Sequence, residues 1–339
     1  MQMVSRRPPR CHIGRATTGS PSPAPTRVDA SGMGTYIDSF GPPSVPLAMD
    51  DALRKAEALI EALNYIRTFR GCRTVVKLGG SAMENPAALH ATLQDVVFME
   101  TVGLRPVLVH GGGKPIDRAM AAAGLKPTKR HGRRVTDDAT LAVVVKVLRD
   151  EVNAGIVRRI RQLGGRAVGL HTDTLQCLFG EKLLLPGDGG EPVDLGRVGQ
   201  VTRVDAGLIS DFTDANVVPV IPSLAADEAG GWLNVNADTA AAAVAAHLKA
   251  EKLVFLTDTP GILRDRTDEA STVRSLDAAG CRALAAGGVI GSGMVPKVDA
   301  CLDSLRAGVG KVHIIDGRRP HALLLEIYTD QGVGTEIVL

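Results

Sequence analysis

Six short runs rich in β-branched residues, Thr74 to Leu78, Pro106 to Val109, Ala167 to Leu170, Val217 to Ile221, Leu253 to Leu256 and Val312 to Ile315, recur along this chain. Stretches with helical spacing separate them, and that alternation limits the fold more than any other feature. It predicts a three-layer αβα sandwich with a mainly parallel central sheet and helices on both faces. Uninterrupted apolar runs such as Leu253 to Leu256 suit strands covered on both sides. At 339 residues the body is large enough for one α/β domain or two lobes. Lys182 to Gly207, dense in Gly, Asp and Pro, reads as hairpins or a loop excursion.

Two segments precede this body. Residues 1–46 are rich in Pro, Ser, Gly and Arg, carry no acidic residue before Asp29, and show no apolar periodicity. They read as a disordered tail or a targeting segment, Arg- and Ser-rich like an organelle transit peptide, or as the product of a start codon assigned too early. Residues 47–71 form a second unit. Leu53, Ala56, Ile60, Leu63 and Ile66, with Leu59 and Tyr65 beside them, make one apolar face of a helix that Arg70 and Gly71 end. Residues 72–339 are the globular body.

Chemistry is concentrated where strands run into glycine. Val75-Val76-Lys77-Leu78 leads into Gly79-Gly80, and Pro106 to His110 leads into Gly111-Gly112-Gly113 and a helix-like stretch from Pro115. Bare backbone N–H groups at the start of a helix seat an anion. A lysine two residues before such a seat, at the carboxyl edge of the sheet, can hold the oxygens of a moving phosphoryl group. Neither the G-x-x-x-x-G-K-[ST] loop nor the G-x-G-x-x-G fingerprint occurs, which argues against P-loop and Rossmann enzymes.

Asn234, Asn236 and Asp238 open the alanine-rich helix Thr239 to Lys249, where capping alone needs only one of the three. The turn Thr257-Asp258-Thr259-Pro260-Gly261 serves equally as a nucleotide frame or a simple loop. Gly287 to Lys297 is glycine-dense and places Lys297 in a first helical turn, an electrostatically poor position unless an anion compensates. Phosphate is the expected anion. Arg133 and Arg134 are candidates for a bidentate carboxylate clamp, with one of the two solvated or in an ion pair. His110, His171 and Asp173 lack triad or metal-ligand spacing and read as structural.

Composition excludes several classes. Only 3% of the residues are aromatic and the net charge is +2, too little of either for a nucleic-acid binder. Five scattered cysteines without a C-x-x-C pair indicate neither disulfides nor zinc, and fit a reducing cytoplasm. No run approaches the roughly 20 apolar residues of a membrane span.

Taken in order, Lys77-Leu-Gly-Gly80, His110-Gly-Gly-Gly113, Gly132-Arg-Arg-Val-Thr136, Asn234-Val-Asn-Ala-Asp238, Thr257-Asp-Thr-Pro-Gly261 and Met294-Val-Pro-Lys297 closely resemble the N-acetylglutamate kinases of the amino acid kinase superfamily. The resemblance spans roughly Met49 to Leu339. It implies the amino acid kinase fold, with an N-lobe for acetylglutamate over about 72–235 and a C-lobe for ATP over about 236–339. It also implies ATP-dependent phosphorylation of the side-chain carboxylate of N-acetyl-L-glutamate to N-acetyl-L-glutamyl 5-phosphate in arginine biosynthesis. A carboxylate of reference pKa about 4.3 is already ionised near neutral pH, so such a reaction needs no general base.

By the same resemblance Lys77 and Lys297 stabilise the phosphoryl charge and Asp238 orients them. Gly79 and Gly80 donate N–H groups to ATP, Gly111 and Gly112 donate them to the substrate, and Arg134 and Asn234 clamp acetylglutamate. Asp258, Gly261, Leu263, Val289, Ile290 and Gly291 frame the nucleotide. Magnesium rides on the ATP phosphates, with no metal cage from the protein. The helix ending at Gly71 and the segments His313 to Gly317 and Leu325 to Thr335 are similar to the arginine-inhibited branch. That likeness nominates Tyr65, His313, Glu326 and Gly332 for an arginine effector, a homodimer or a hexamer built through the N-terminal helix, and a PII-type regulator as a partner. Gly169 to Leu175 departs from the usual pattern and puts the geometry of one substrate loop in doubt. Two alternatives stay open, a superfamily kinase for an aminoadipate-type acid and a non-catalytic arginine sensor. The expected location is cytoplasmic, or an organelle if residues 1–46 are a transit peptide.

Overall fold

The computed structural model describes residues 49–339 except 131, 172–174, 187–190, 266, 292–293 and 330–331. The expected tail over 1–46 and Asp173 therefore lie outside the described residues, as does the centre of the 169–175 loop. Leu53–Leu339 forms one compact unit. The chain begins with α1 (Met49–Phe69), β1 (Arg73–Leu78), α2 (Gly80–Glu84), α3 (Pro86–Thr101), β2 (Arg105–His110) and α4 (Gly113–Ala122). A short hairpin, β3 (Lys129–Arg130) with β4 (Arg133–Arg134), precedes α5 (Asp138–Lys146), a π-helical stretch Val147–Asn153 and α6 (Ala154–Gln162). Then come β5 (Ala167–Gly169), β6 (Leu178–Leu185), β7 (Val193–Val204), α7 (Ala206–Asp214), β8 (Val218–Pro222), β9 (Leu224–Ala226) and β10 (Trp232–Val235). The last third holds α8 (Ala237–Leu248), β11 (Lys252–Thr257), β12 (Ser275–Leu276), α9 (Ala278–Ala286), α10 (Val295–Arg306), β13 (Lys311–Asp316), α11 (Ala322–Ile327) and β14 (Thr335–Ile337).

Eight strands make the main sheet in the order β12-β14-β13-β11-β1-β2-β8-β5, parallel throughout except for β13 against β14. The six β-branched runs are five of its six interior strands and the edge strand β5; the remaining interior strand, β14, is not among them. Alternation along each strand separates the two cores. Val75, Val107, Val109, Leu253, Phe255, Val312 and Ile314 pack with α8 and α10, while Val76, Leu108, Val254, Leu256 and Ile315 pack with residues of α3, α6 and α11. Because both faces are covered, β11 is buried from end to end. The architecture is the expected αβα sandwich with a mainly parallel sheet.

The Gly-rich segment after residue 177 is a hairpin of β6 and β7, which closes with β9 and β10 into a small barrel. Its start at Leu178 and its closure are tertiary results that the composition of 182–207 does not contain. In α1 the apolar face is divided. Tyr65, Ile66 and Phe69 pack against the core beneath the sheet, whereas Leu53, Leu59 and Ile60 stay 53%, 69% and 68% exposed. Gly71 ends the helix at φ +81°, a value that favours glycine.

Candidate active site

The residues that sequence reasoning placed far apart meet at Asp238, in the first turn of α8. Its Oδ1 lies 2.8 Å from Lys77 Nζ, an ion pair by distance, and its Oδ2 accepts a hydrogen bond of 2.9 Å from Lys297 Nζ. Each lysine comes from a different element. Lys77 projects from the carboxyl end of β1, and Lys297 stands in the first turn of α10, over the ring of Phe255 at 5.4 Å. Burial works against the charge on Asp238, but the two ammonium groups outweigh it and hold the carboxyl below its ordinary range. The anion that compensates Lys297 is thus in the first instance Asp238.

Three polar residues at the start of α8 divide the labour. Asn236 is the cap, accepting from the amides of Asp238 and Thr239 at 2.9 and 3.1 Å. Asp238 is released to bridge the lysines. Asn234 points the other way and donates to Thr136 Oγ1 at 3.1 Å.

The triad separates two cavities. One, of about 280 Å³, is lined by Lys77, Gly80, Gly111, Gly112, Arg134 and Asn234 among others. Gly112 precedes α4 without any side-chain cap, so first-turn amides of that helix are left for a ligand. A Cβ on Gly112 would come within 2.7 Å of Leu148, and one on Gly79 within 2.2 Å of the Leu256 carbonyl oxygen. These glycines are set by close packing. Lys114 of α4 and Glu84 of α2 form an ion pair that ties the two glycine-led helices together.

The second cavity, of about 410 Å³, is lined by Asp258, Gly261, Leu263, Val289, Ile290, Gly291 and Lys297, with Thr257, Thr259, Ile262 and Met294. Six of the eight residues nominated for ATP therefore line this cavity; Gly80 lines the first cavity instead, and Gly79 is in the lining of neither. The turn is held from behind, where Thr335 Oγ1 accepts from the Ile262 amide at 2.8 Å.

His110 is structural, as its spacing suggested. It is fully buried, donates from Nδ1 to the Gly111 carbonyl at 3.0 Å and accepts at Nε2 from Asn153 Nδ2 at 3.0 Å. Burial pushes its pKa down to about 4 against that carbonyl's opposing pull, so the imidazole is neutral near pH 7. Its task is to brace the glycine loop. Asn153, at the end of the π-helical stretch, gave no signal in the sequence because its partner lies 43 residues away.

A third cavity, of about 340 Å³, brings together Tyr65, His313, Glu326 and Gly332. Glu326 Oε1 accepts from His313 Nδ1 at 2.8 Å, and Oε2 accepts from the amides of Val333 and Gly334 at 2.7 and 2.9 Å. Burial opposes the charge on Glu326, but His313 and the two amides prevail and lower its pKa. Sequence reasoning missed Lys252, Arg274, Lys311 and Glu336 in the same wall. The usable signal was Lys252, a lysine opening an apolar strand, buried here beneath the Phe69 ring at 4.6 Å.

Among the described residues no helix is long and apolar enough to cross a membrane, and no group of three or more His, Cys, Asp or Glu side chains is placed to hold a metal ion.

Fold and site together define a three-layer α/β protein with two cavities side by side and a Lys–Asp–Lys bridge between them. The sequence profile of the amino acid kinase family matches residues 73–316. The chain belongs to that family. It is 46% identical over 291 residues to the acetylglutamate kinase of Heliobacterium modesticaldum, covering 85% of this chain and 99% of that protein. It is 47% identical over 289 residues to the acetylglutamate kinase of Acaryochloris marina, with 85% and 99% covered. Among solved structures it is similar to the N-acetylglutamate synthase of Neisseria gonorrhoeae in complex with coenzyme A and N-acetyl-glutamate, at TM-score 0.74 and 27% identity. That match covers 84% of this chain but 63% of the longer synthase. The carbamate kinase of Giardia lamblia, at TM-score 0.56 and 17% identity over 79% of this chain and 98% of that one, shares the fold.

Proposed function

We propose that this protein is an acetylglutamate kinase, transferring the γ-phosphoryl group of ATP to the side-chain carboxylate of N-acetyl-L-glutamate in arginine biosynthesis. The observation that carries the reading is Asp238 holding a lysine from each cavity on its two oxygens. Two anions bound on either side would bring a carboxylate and a phosphoryl group together at a pair of ammonium ions. Such a reaction depends on positioning and electrostatics.

The lobe near residues 72–235 supplies the acid's cavity, where Arg134, Asn234 and the amides of Gly111 and Gly112 hold the acetylated amino acid. The lobe near 236–339 supplies the nucleotide cavity. Lys77, with Gly79 and Gly80, takes the phosphoryl oxygens from the acid's side and Lys297 from the nucleotide's side. Magnesium, bound through the ATP phosphates, would offset their charge. The donor set fits that arrangement, since among the described residues the nucleotide cavity presents the cation Lys297 and a single carboxylate, Asp258.

The third cavity fits a free amino acid bearing a second cation: Lys252, Arg274 and Lys311 for a carboxylate, Glu326 and Glu336 for cationic groups. Arginine as feedback inhibitor is the reading this supports. The exposed Leu53, Leu59 and Ile60 of α1 support assembly through that helix into dimers or a hexamer. A PII-type regulator and a cytoplasmic location belong to the same proposal. The test is a coupled ADP-release assay with N-acetyl-L-glutamate beside N-acetyl-L-2-aminoadipate. A clear preference for the first is expected. Turnover of the longer acid alone would reassign the substrate, and arginine binding without any ATP turnover would leave a sensor.

A further inference from the structure

The peptide that joins Gly111 to Gly112 has its direction set from inside the protein. Its carbonyl accepts from Nδ1 of His110, a fully buried ring. All peptide bonds of the described residues are trans, and across a trans peptide the C=O and the following N–H point opposite ways. Anchoring the Gly111 carbonyl on the ring therefore turns the Gly112 N–H away from it, toward the acid cavity that both glycines line. Among the described residues that amide donates to no backbone group.

The arrangement needs one particular tautomer. His110 is neutral near pH 7, so it has one proton for two nitrogens, and Nδ1 can donate only when Nε2 is bare. Asn153 makes that choice. Its Nδ2 lies 2.9 Å from the Val220 carbonyl and 3.0 Å from His110 Nε2. A carbonyl oxygen only accepts, so the carboxamide must turn its nitrogen to Val220, and the second hydrogen is then aimed at Nε2. The orientation leaves Asn153 Oδ1 buried with no hydrogen-bond partner among the described residues, an exception that asks for a reason. A Cβ on Gly169 would come within 2.3 Å of that oxygen. The π-helical stretch Val147–Asn153 thus supports the glycine loop twice, with Leu148 behind Gly112 and Asn153 behind His110, and such irregular turns are frequent at functional sites.

We propose that Asn153 is a positioning residue for phosphoryl transfer: it keeps the His110 proton on Nδ1, which holds the Gly111 carbonyl inward and the Gly112 N–H aimed at the reacting oxygens. The proposal rests on the function given above, since the donor matters only if charge moves in front of it.

The full chain and its Asn153→Asp and Asn153→Ala variants test this. Asn153→Asp keeps the shape but offers acceptors, so the proton should move to Nε2 and leave a bare Nδ1 facing the Gly111 oxygen. The tautomer is read at pH 7 by 15N NMR of histidine-labelled protein, the His110 signals being those lost in His110→Asn. A preorganised donor of this kind is worth about 100-fold in kcat, so a misdirected one should lower kcat with acetylglutamate about tenfold or more in N153D, with KM for ATP within about twofold. N153A imposes neither tautomer and should lose about threefold or more per folded molecule; it decides the matter if N153D does not fold. A role confined to folding would lower the thermal midpoint of N153A and leave its kcat per folded molecule unchanged, which overturns the proposal. So does a parent His110 protonated on Nε2. An inactive parent whose proton is on Nδ1 overturns the proposed function instead, and the tautomer control stands.

Discussion

Replacing Asp238 with Asn tests the centre of the site. The carboxylate holds one lysine nitrogen at 2.8 Å and the other at 2.9 Å on its two oxygens. This confines the two ammonium ions to within roughly 8 Å of each other. At that separation and an effective dielectric of about 20, two unit charges repel by about 2 kcal/mol. The carboxylate more than cancels this repulsion, whereas an amide has no charge to do so and a single acceptor oxygen for two donors. The lysines should swing apart, and misplacement by an ångström costs on the order of 100-fold in rate. Asp238→Asn should therefore lower kcat about 100-fold in the ADP-release assay while changing the KM of either substrate far less. Complete removal of a buried ion-pair partner costs about 3–5 kcal/mol, and with Asp238 23% exposed the loss of folding stability should be nearer 1–2 kcal/mol. A variant with kcat within threefold of the parent would show that the bridge does not organise the reacting groups.

Other expectations concern neighbouring parts of the molecule. His110 has its pKa lowered to about 4 against an ordinary value near 6.5, so the unfolded chain binds its proton first; the stability it confers is complete above about pH 6.5 and is lost as pH falls toward 4. Urea unfolding at pH 7 and pH 5 should show the parent losing about 2 kcal/mol more than His110→Asn between the two, and equal losses would refute the assignment. Gly79→Ala places a methyl carbon 2.2 Å from a backbone carbonyl oxygen and should destabilise by about 2–3 kcal/mol, seen as a drop of roughly 5 °C or more in thermal midpoint; an unchanged midpoint would mean the loop yields freely. Arginine should inhibit the parent, and Glu326→Gln should be far less sensitive at equal basal turnover; an uninhibited parent would remove the effector reading of the third cavity.

How much of this was legible in the chain depends on whether the signal was local. The alternation of short apolar runs with helical stretches, the glycines after β1 and β2 and the stop at Gly71 follow from neighbour-to-neighbour physics, so residue order alone placed the six principal strands and narrowed the cap of α8 to Asn234, Asn236 or Asp238, of which the structure selects Asn236. Gly112 and Gly79 could be picked out as unusual, yet the reason they must be glycine lies in Leu148 and the Leu256 carbonyl, far along the sequence. Lys297 looked electrostatically wrong in its helical turn. The family resemblance nominated Asp238 as its partner, and the packing of α10 on α8 supplies the contact at 2.9 Å.

Closure of β6, β7, β9 and β10 into a barrel, the bracing of His110 by Asn153 and the pairing of Arg134 with Asp117 were decided by tertiary structure, because each depends on which distant surfaces come to lie against one another. The two arginines show the boundary most clearly. Their adjacency in the chain makes both candidates for a carboxylate clamp with one in an ion pair, and only the fold shows that the buried Arg134 is the one paired, with Asp117, while Arg133 is half-buried.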